Sequence, residues 1–77
     1  MDIAWEDGFS IKVRVNGGTV VISANKEGLL SLAAQLTTLA EAQPGSHIHY
    51  DESNSLEEGS AEMVIEHFRE KKDFPHS

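Results

Sequence analysis

The chain has 77 residues, a formal net charge of −7 at pH 7, no cysteine and 39% hydrophobic residues. A chain of this length forms at most one domain, so we expect a single domain over residues 1–77 with an ordered core at about 9–68. The missing cysteines exclude disulfides and thiolate-bound metals, and the apolar fraction is too high for a disordered protein. We therefore expect folding to depend on side-chain packing alone, or on packing plus dimerisation.

The negative charge is concentrated in one long segment. From Glu27 to Phe68 there is no Lys or Arg, while eight carboxylates occur: Glu27, Glu41, Asp51, Glu52, Glu57, Glu58, Glu62 and Glu66. An acidic surface repels phosphate and attracts basic surfaces. This argues against nucleic acid and membranes as partners and favours a protein partner with a basic surface.

Residues 9–24 have the pattern of a β-hairpin. Apolar side chains occupy every second position at the start of the segment, namely Phe9, Ile11, Val13 and Val15. This period of two is typical of a strand with one solvated face. Asn16-Gly17-Gly18 supplies the tight turn, and a β-branched run follows it up to Ala24.

A helix is predicted from about Lys26 to Ala42. Asn25 is suited to be its N-cap, and Glu27 lies in its first turn. Apolar residues recur at helical spacing and predict the buried stripe, which comprises Leu29, Leu32, Ala33, Leu36, Leu39 and Ala40. Pro44-Gly45 ends the helix.

The remaining pattern predicts a second hairpin with a long polar loop. Its first strand is Ser46 to Tyr50, its loop is Asp51 to Ser60, and its second strand is Ala61 to Phe68. The predicted fold class is therefore α+β with the order ββαββ. We expect the helix to pack on one face of a four-stranded, mainly antiparallel sheet.

Both ends of the chain lie outside this pattern. Residues 69–77 are predicted to form a flexible tail. Trp5 precedes the first strand and is either a lid over the core, which we favour, or a contact anchor. No leader-like or membrane-spanning stretch is evident, so we expect a cytoplasmic protein.

The histidines offer an alternative function. His47 and His49 would share one face of a strand at a spacing that can clamp a divalent metal, with His67 or Glu66 as a third ligand. Short motifs of this kind also arise by chance on exposed sheet faces. No grouping for nucleophilic catalysis is evident, so we expect no enzyme activity, no catalytic residues and no cofactor.

Three stretches resemble a known protein family: residues 24–33, residues 44–51 and residues 56–66. They are similar to the small bacterial immunity proteins of polymorphic toxin systems, in particular the family catalogued as immunity protein thirty-two. The resemblance covers roughly Phe9 to Phe68 and implies a non-enzymatic inhibitor that binds a toxin in the cytoplasm.

The favoured function is an acidic protein-binding module that blocks a toxin by covering it. The predicted partner-binding residues are chosen by expected exposure and charge: His47, His49, Tyr50, Asp51, Glu52, Glu57, Glu58, Glu62 and Glu66. The carboxylates would steer association, and the other side chains would make desolvated contacts. The alternatives are metal binding by His47, His49 and His67, or self-association as a homodimer through the open sheet face or an edge strand.

Overall fold

The computed structural model describes residues 3–70, so the predicted tail beyond Glu70 lies outside the described residues. The element order confirms the predicted ββαββ sequence. The elements are β1 (Ile11–Asn16), β2 (Thr19–Ala24), α1 (Lys26–Glu41), β3 (His47–Tyr50) and β4 (Met63–Glu66).

Both predicted hairpins form, with shorter strands than predicted. Strands β1 and β2 pair antiparallel around Gly17-Gly18, with Val13 opposite Ile22. Both glycines have positive φ, at 51° and 89°, which this tight turn requires. Strands β3 and β4 also pair antiparallel, with Ile48 opposite Ile65.

The prediction of one four-stranded sheet is wrong. Over residues 3–70 the structure has two separate two-stranded sheets, β1-β2 and β3-β4. The loop between β3 and β4 lies along β1 instead of a strand. The backbone N–H groups of Glu57 and Ala61 donate to the carbonyls of Ile11 and Val13, both at 2.9 Å. Because this loop segment is not a regular strand, no ladder joins the two sheets.

The helix begins as predicted but buries a different side. The Asn25 side chain accepts the Gly28 N–H at 2.8 Å and so caps α1. The predicted leucine stripe is correct only in part: Leu39 is buried and Leu32 packs half-buried against the core. Leu29 and Leu36 are 56% and 43% exposed, so their predicted burial is wrong. The buried side consists of Gly28, Ser31, Gln35 and Leu39.

Close approach explains why this side faces inward. A Cβ atom at Gly28 would lie 2.7 Å from the Ser10 carbonyl oxygen and 2.9 Å from Ile11 Cγ1. The first turn of α1 therefore lies directly against the first hairpin, a contact that only glycine permits. This contact fixes the rotation of the helix and leaves Leu29 and Leu36 on its flank.

The core is small and includes the N-terminal segment. Its buried apolar side chains are Ile11, Val13, Leu39, Ile48, Tyr50 and Leu56. Trp5 stacks on Phe9 with ring centroids 4.3 Å apart and meets the Tyr50 ring edge-on at 6.2 Å. Trp5 is therefore the lid over the core that the sequence favours.

Candidate functional site

The second hairpin and its loop, residues 47–66, carry the predicted contact residues, and we call this segment the acidic hairpin. Strand β3 alternates between exposed and buried side chains, and β4 alternates between half-buried and exposed ones. Ile48 and Tyr50 point into the core, while His47 and His49 point outward. On β4, Val64 and Glu66 are exposed, and Glu66 pairs with His47 across the strands. The outer side of this hairpin thus combines imidazole, carboxylate and apolar groups.

Most of the predicted contact residues are on the surface. His47, His49, Glu52, Glu57, Glu58, Glu62 and Glu66 are all exposed. Asp51 is partly exposed, at 28% of its side chain. Tyr50 differs from the rest because it is 0% exposed, so it cannot touch a partner and leaves the predicted contact set.

The loop is held in place by a few inward groups. Leu56 is 5% exposed and anchors the loop in the core, while its neighbours Glu57 and Glu58 are exposed. The Val13 N–H donates to Ser60 Oγ at 3.1 Å, and Lys12 Nζ donates to the Glu58 carbonyl at 2.7 Å. The chain therefore displays these carboxylates on a fixed backbone.

Asp51 organises the first turn of the loop. Its Oδ1 accepts the Ser53 hydroxyl at 2.8 Å and the N–H groups of Ser53 and Asn54 at 3.0 and 3.1 Å. The Ser53 hydroxyl, followed by the backbone donors and His49, holds the pKa of Asp51 below its usual range. Asp51 is thus ionised at neutral pH and uses one oxygen to hold the turn.

The other oxygen of Asp51 faces a histidine. His49 Nε2 lies 3.9 Å from Asp51 Oδ2 and 2.8 Å from Glu62 Oε2. The three ligand atoms of this group all lie within 4.8 Å of one another. The structure therefore groups His49 with Asp51 and Glu62, and not with His47 and His67 as the sequence alternative proposed. His67 Nδ1 instead lies 3.1 Å from the Leu39 carbonyl oxygen at the end of α1.

No Lys or Arg within residues 3–70 forms an ion pair with the carboxylates of the acidic hairpin. Across residues 3–70, the ion pairs with these carboxylates are the two that His49 makes. Lys12 reaches a carbonyl and Arg14 reaches the Ser23 hydroxyl, so neither side chain cancels a carboxylate. The negative potential of the segment is therefore open to a partner.

Sequence reasoning missed the buried polar side of the helix. The Tyr50 hydroxyl donates to Gln35 Oε1 at 2.7 Å, and Gln35 Nε2 donates to the Ala4 carbonyl at 2.8 Å. Ser31 Oγ accepts the Glu6 N–H at 2.8 Å. These bonds tie the N-terminal segment and β3 to α1. The signal was present, because residues 28, 31, 35 and 39 recur at helical spacing as a second stripe.

A comparison with family models decides the classification. The model described as Immunity protein 32 matches residues 19–67, which is more than half of the chain. The chain belongs to this family. The match confirms the resemblance seen in the sequence, and it includes the whole acidic hairpin. No curated protein and no solved structure matches the chain.

Membership of the Immunity protein 32 family favours a protein partner over a small substrate. The structure adds one finding on membranes: none of the helices in the described part of the chain has the length and apolarity to cross a bilayer.

Proposed function

We propose that this immunity protein acts in the cytoplasm and neutralises a toxin by covering a basic region of it with the acidic hairpin. The observation that carries the proposal is that five glutamates are exposed on this segment and that no Lys or Arg in the described part of the chain pairs with them. They are Glu52, Glu57, Glu58, Glu62 and Glu66. The proposed action is binding and occlusion, without catalysis.

The carboxylates and the other exposed groups have different roles in this proposal. Charges at the rim of an interface raise the association rate by steering, and they add little to the lifetime of the complex. His47, His49 and Val64 form the less charged centre of the outer side of the hairpin. Such groups lose water on binding and slow dissociation.

A rescue experiment tests this proposal. The chain is co-expressed with each neighbouring reading frame from its native host, and growth is measured with and without the chain. A frame that is toxic alone and harmless with this chain supplies the partner, which is then purified as a complex. If no neighbouring frame is rescued and nothing co-purifies with the tagged chain from the host, the toxin proposal is wrong.

Two matched charge variants locate the contact surface. The triple variant Glu57→Gln, Glu58→Gln, Glu66→Gln removes three charges from the acidic hairpin. The control Glu6→Gln, Asp7→Asn, Glu41→Gln removes three charges from exposed positions elsewhere. We expect the first variant to lower the association rate about tenfold or more and the second to leave it nearly unchanged. Equal effects would show that only net charge matters.

A second candidate function is divalent-cation binding at His49, Asp51 and Glu62. The observation in its favour is that their ligand atoms lie within 4.8 Å of one another, a separation that one ion can bridge. Zinc titration followed by histidine chemical shifts tests it. Saturable shifts at His49 that are lost in Glu62→Gln would support the site. Histidine chemical shifts that stay unchanged at millimolar zinc would rule out this cation site.

A further inference from the structure

Strand β2 has one open edge. It pairs with β1 on one side, and within residues 3–70 no strand pairs with its other side. In an antiparallel pair every second residue points its N–H and C=O away from the neighbouring strand. Because the two-residue turn makes Asn16 and Thr19 a hydrogen-bonded pair, the outward groups belong to Val20, Ile22 and Ala24.

This edge lacks the features that protect exposed strands. Proteins usually block such edges with charged side chains, proline or bulges. Strand β2 has the sequence Thr-Val-Val-Ile-Ser-Ala, which contains no charge and no proline, and its register with β1 runs without a bulge. Nothing in the sequence or register of β2 therefore hinders another strand from hydrogen bonding to its edge.

The face beside this edge is apolar and exposed. Val15, Val20 and Ile22 are 61%, 60% and 43% exposed. The register places them on the same face as the buried Ile11 and Val13. Exposed apolar patches of a few hundred Å² that adjoin a core commonly mark interaction sites.

Charge indicates which partner covers this edge. Residues 11–26 contain Lys12, Arg14 and Lys26 and no carboxylate, although the chain carries −7 overall. A basic toxin would be attracted to the acidic hairpin and repelled by this end of the molecule. A second copy carries the same three cations, but they lie in β1 and α1, outside β2. Two β2 strands can therefore pair with no like charges directly opposite, and each meets an identical apolar face. The edge therefore fits a second copy better than it fits the toxin.

We propose that two copies of the chain pair antiparallel through the edges of their β2 strands, about a twofold axis. The outward N–H and C=O groups of β2 then bond to those of its partner, and the apolar faces of the two first hairpins join. Two six-residue strands bury less than a standard interface, so we expect a Kd of about 1 to 100 μM. The inference goes beyond the toxin proposal, because it leaves the acidic hairpin of each copy free.

Sedimentation velocity tests the dimer over a range of about 1 to 500 μM protein, which brackets that Kd. The unsubstituted chain should shift from monomer to dimer. Val20→Lys puts a charge beside the β2 edge and should raise the Kd at least about tenfold. Val64→Lys is the matched control, since Val64 is 56% exposed on β4. It should leave the Kd unchanged. A monomer at every concentration would overturn the proposal, as would equal effects of the two variants.

Disulfide trapping gives a second test that does not depend on Val20→Lys folding. The chain has no cysteine, so each single-cysteine variant reports one position. Paired residues in antiparallel strands have Cα atoms about 4.5 to 5.5 Å apart, within the range for a disulfide. We expect one or two positions in β2 to form intermolecular disulfides rapidly under mild oxidation and Val64→Cys to form them slowly. Equal rates at β2 and Val64 would contradict edge pairing.

Discussion

The buried pair of Tyr50 and Gln35 links the second hairpin to the helix. Both residues are at most 1% exposed, and the hydroxyl is the donor to Gln35 Oε1. Tyr50→Phe leaves that oxygen buried without a donor, so we expect a loss of about 1 to 3 kcal/mol in the free energy of unfolding, measured by urea denaturation. The control Thr37→Val removes an exposed helix-surface hydroxyl and should cost less than about 0.5 kcal/mol. Equal losses of unfolding free energy in the two variants would show that the buried hydrogen bond stabilises the fold no more than an exposed one does.

The same tyrosine predicts a change of stability with pH. Burial raises the pKa of Tyr50 above its usual 10.0. The folded state therefore holds the proton more tightly than the unfolded state, and its stabilising effect is present below pH 10 and is lost as the pH rises through the folded pKa. Unfolding measured from pH 8 to 11 should show stability falling above about pH 10, less steeply in Tyr50→Phe. Parallel curves for the two proteins would contradict this linkage.

The turn at Asp51 predicts that the pKa of this carboxyl depends on the Ser53 hydroxyl. The Ser53 hydroxyl is the largest cause of the lowered pKa of Asp51. Ser53→Ala should raise that pKa towards its usual value, observed by NMR titration of the carboxyl carbon. Ser55→Ala is the control, because the Ser55 hydroxyl donates to Asn54 Oδ1 and not to Asp51. If Ser53→Ala leaves the titration unchanged, the hydroxyl is not the cause.

The rotation of α1 about its axis decides which leucines are buried. Alanine substitutions at Leu39 and Leu36 test it. Leu39 is 4% exposed and Leu36 is 43% exposed. Leu39→Ala should cost about 2 to 5 kcal/mol because it leaves a cavity in the core. Leu36→Ala removes a half-exposed side chain and should cost less than about 1.5 kcal/mol. Denaturation in urea compares the two, and an equal or larger cost for Leu36→Ala would contradict the observed buried side of α1.

The contact between α1 and the first hairpin predicts that Gly28→Ala does not give the usual stabilisation of a helix. Alanine is normally favoured over glycine in a helix by about 1 kcal/mol. Here the added Cβ would meet the Ser10 carbonyl, which is backbone and cannot easily move. Overpacking of this kind costs about 1 to 3 kcal/mol, so we expect Gly28→Ala to be destabilising or at best neutral. A clear gain in thermal stability would contradict the close contact.

The elements could be predicted from the sequence, but their arrangement could not. Period-two alternation and the Gly17-Gly18 turn predicted the first hairpin, and Asn25 predicted the helix start. Burial was predicted correctly for Leu39 and wrongly for Leu29 and Leu36, because hydrophobicity alone does not register the backbone contact at Gly28. The separate sheets were missed because the loop's bonds to Ile11 and Val13 come from irregular backbone, which has no residue pattern.

For the candidate site, the exposed glutamates could be predicted from the sequence, but the burial of Tyr50 was missed. Exposure of the glutamates followed from charge, since unpaired carboxylates stay in water. Tyr50 was predicted to make a desolvated contact with the partner, whereas its alternation with His49 along β3 places it inward. Its partner Gln35 is 15 residues away in sequence, so only the structure identifies the bond that buries it.

The distribution of charge over the molecule separates the two proposed interfaces. Residues 11–26 carry three positive charges and no negative charge, and the acidic hairpin carries no Lys or Arg. Added salt should weaken toxin binding by screening attraction, and it should strengthen the dimer by screening repulsion between two chains of −7 each. Sedimentation of the chain at low and high salt measures the second effect, and a dimer that weakens with salt would contradict it.

The most direct test of the account is the rate at which the chain associates with its toxin as ionic strength is varied. Stopped-flow measurements would use the unsubstituted chain and the variant Glu57→Gln, Glu58→Gln, Glu66→Gln. The account predicts that the association rate of the unsubstituted chain falls steeply with salt and that the variant is slower and less sensitive. An association rate that is the same at all salt concentrations, or equal for both proteins, would contradict recognition by the acidic hairpin.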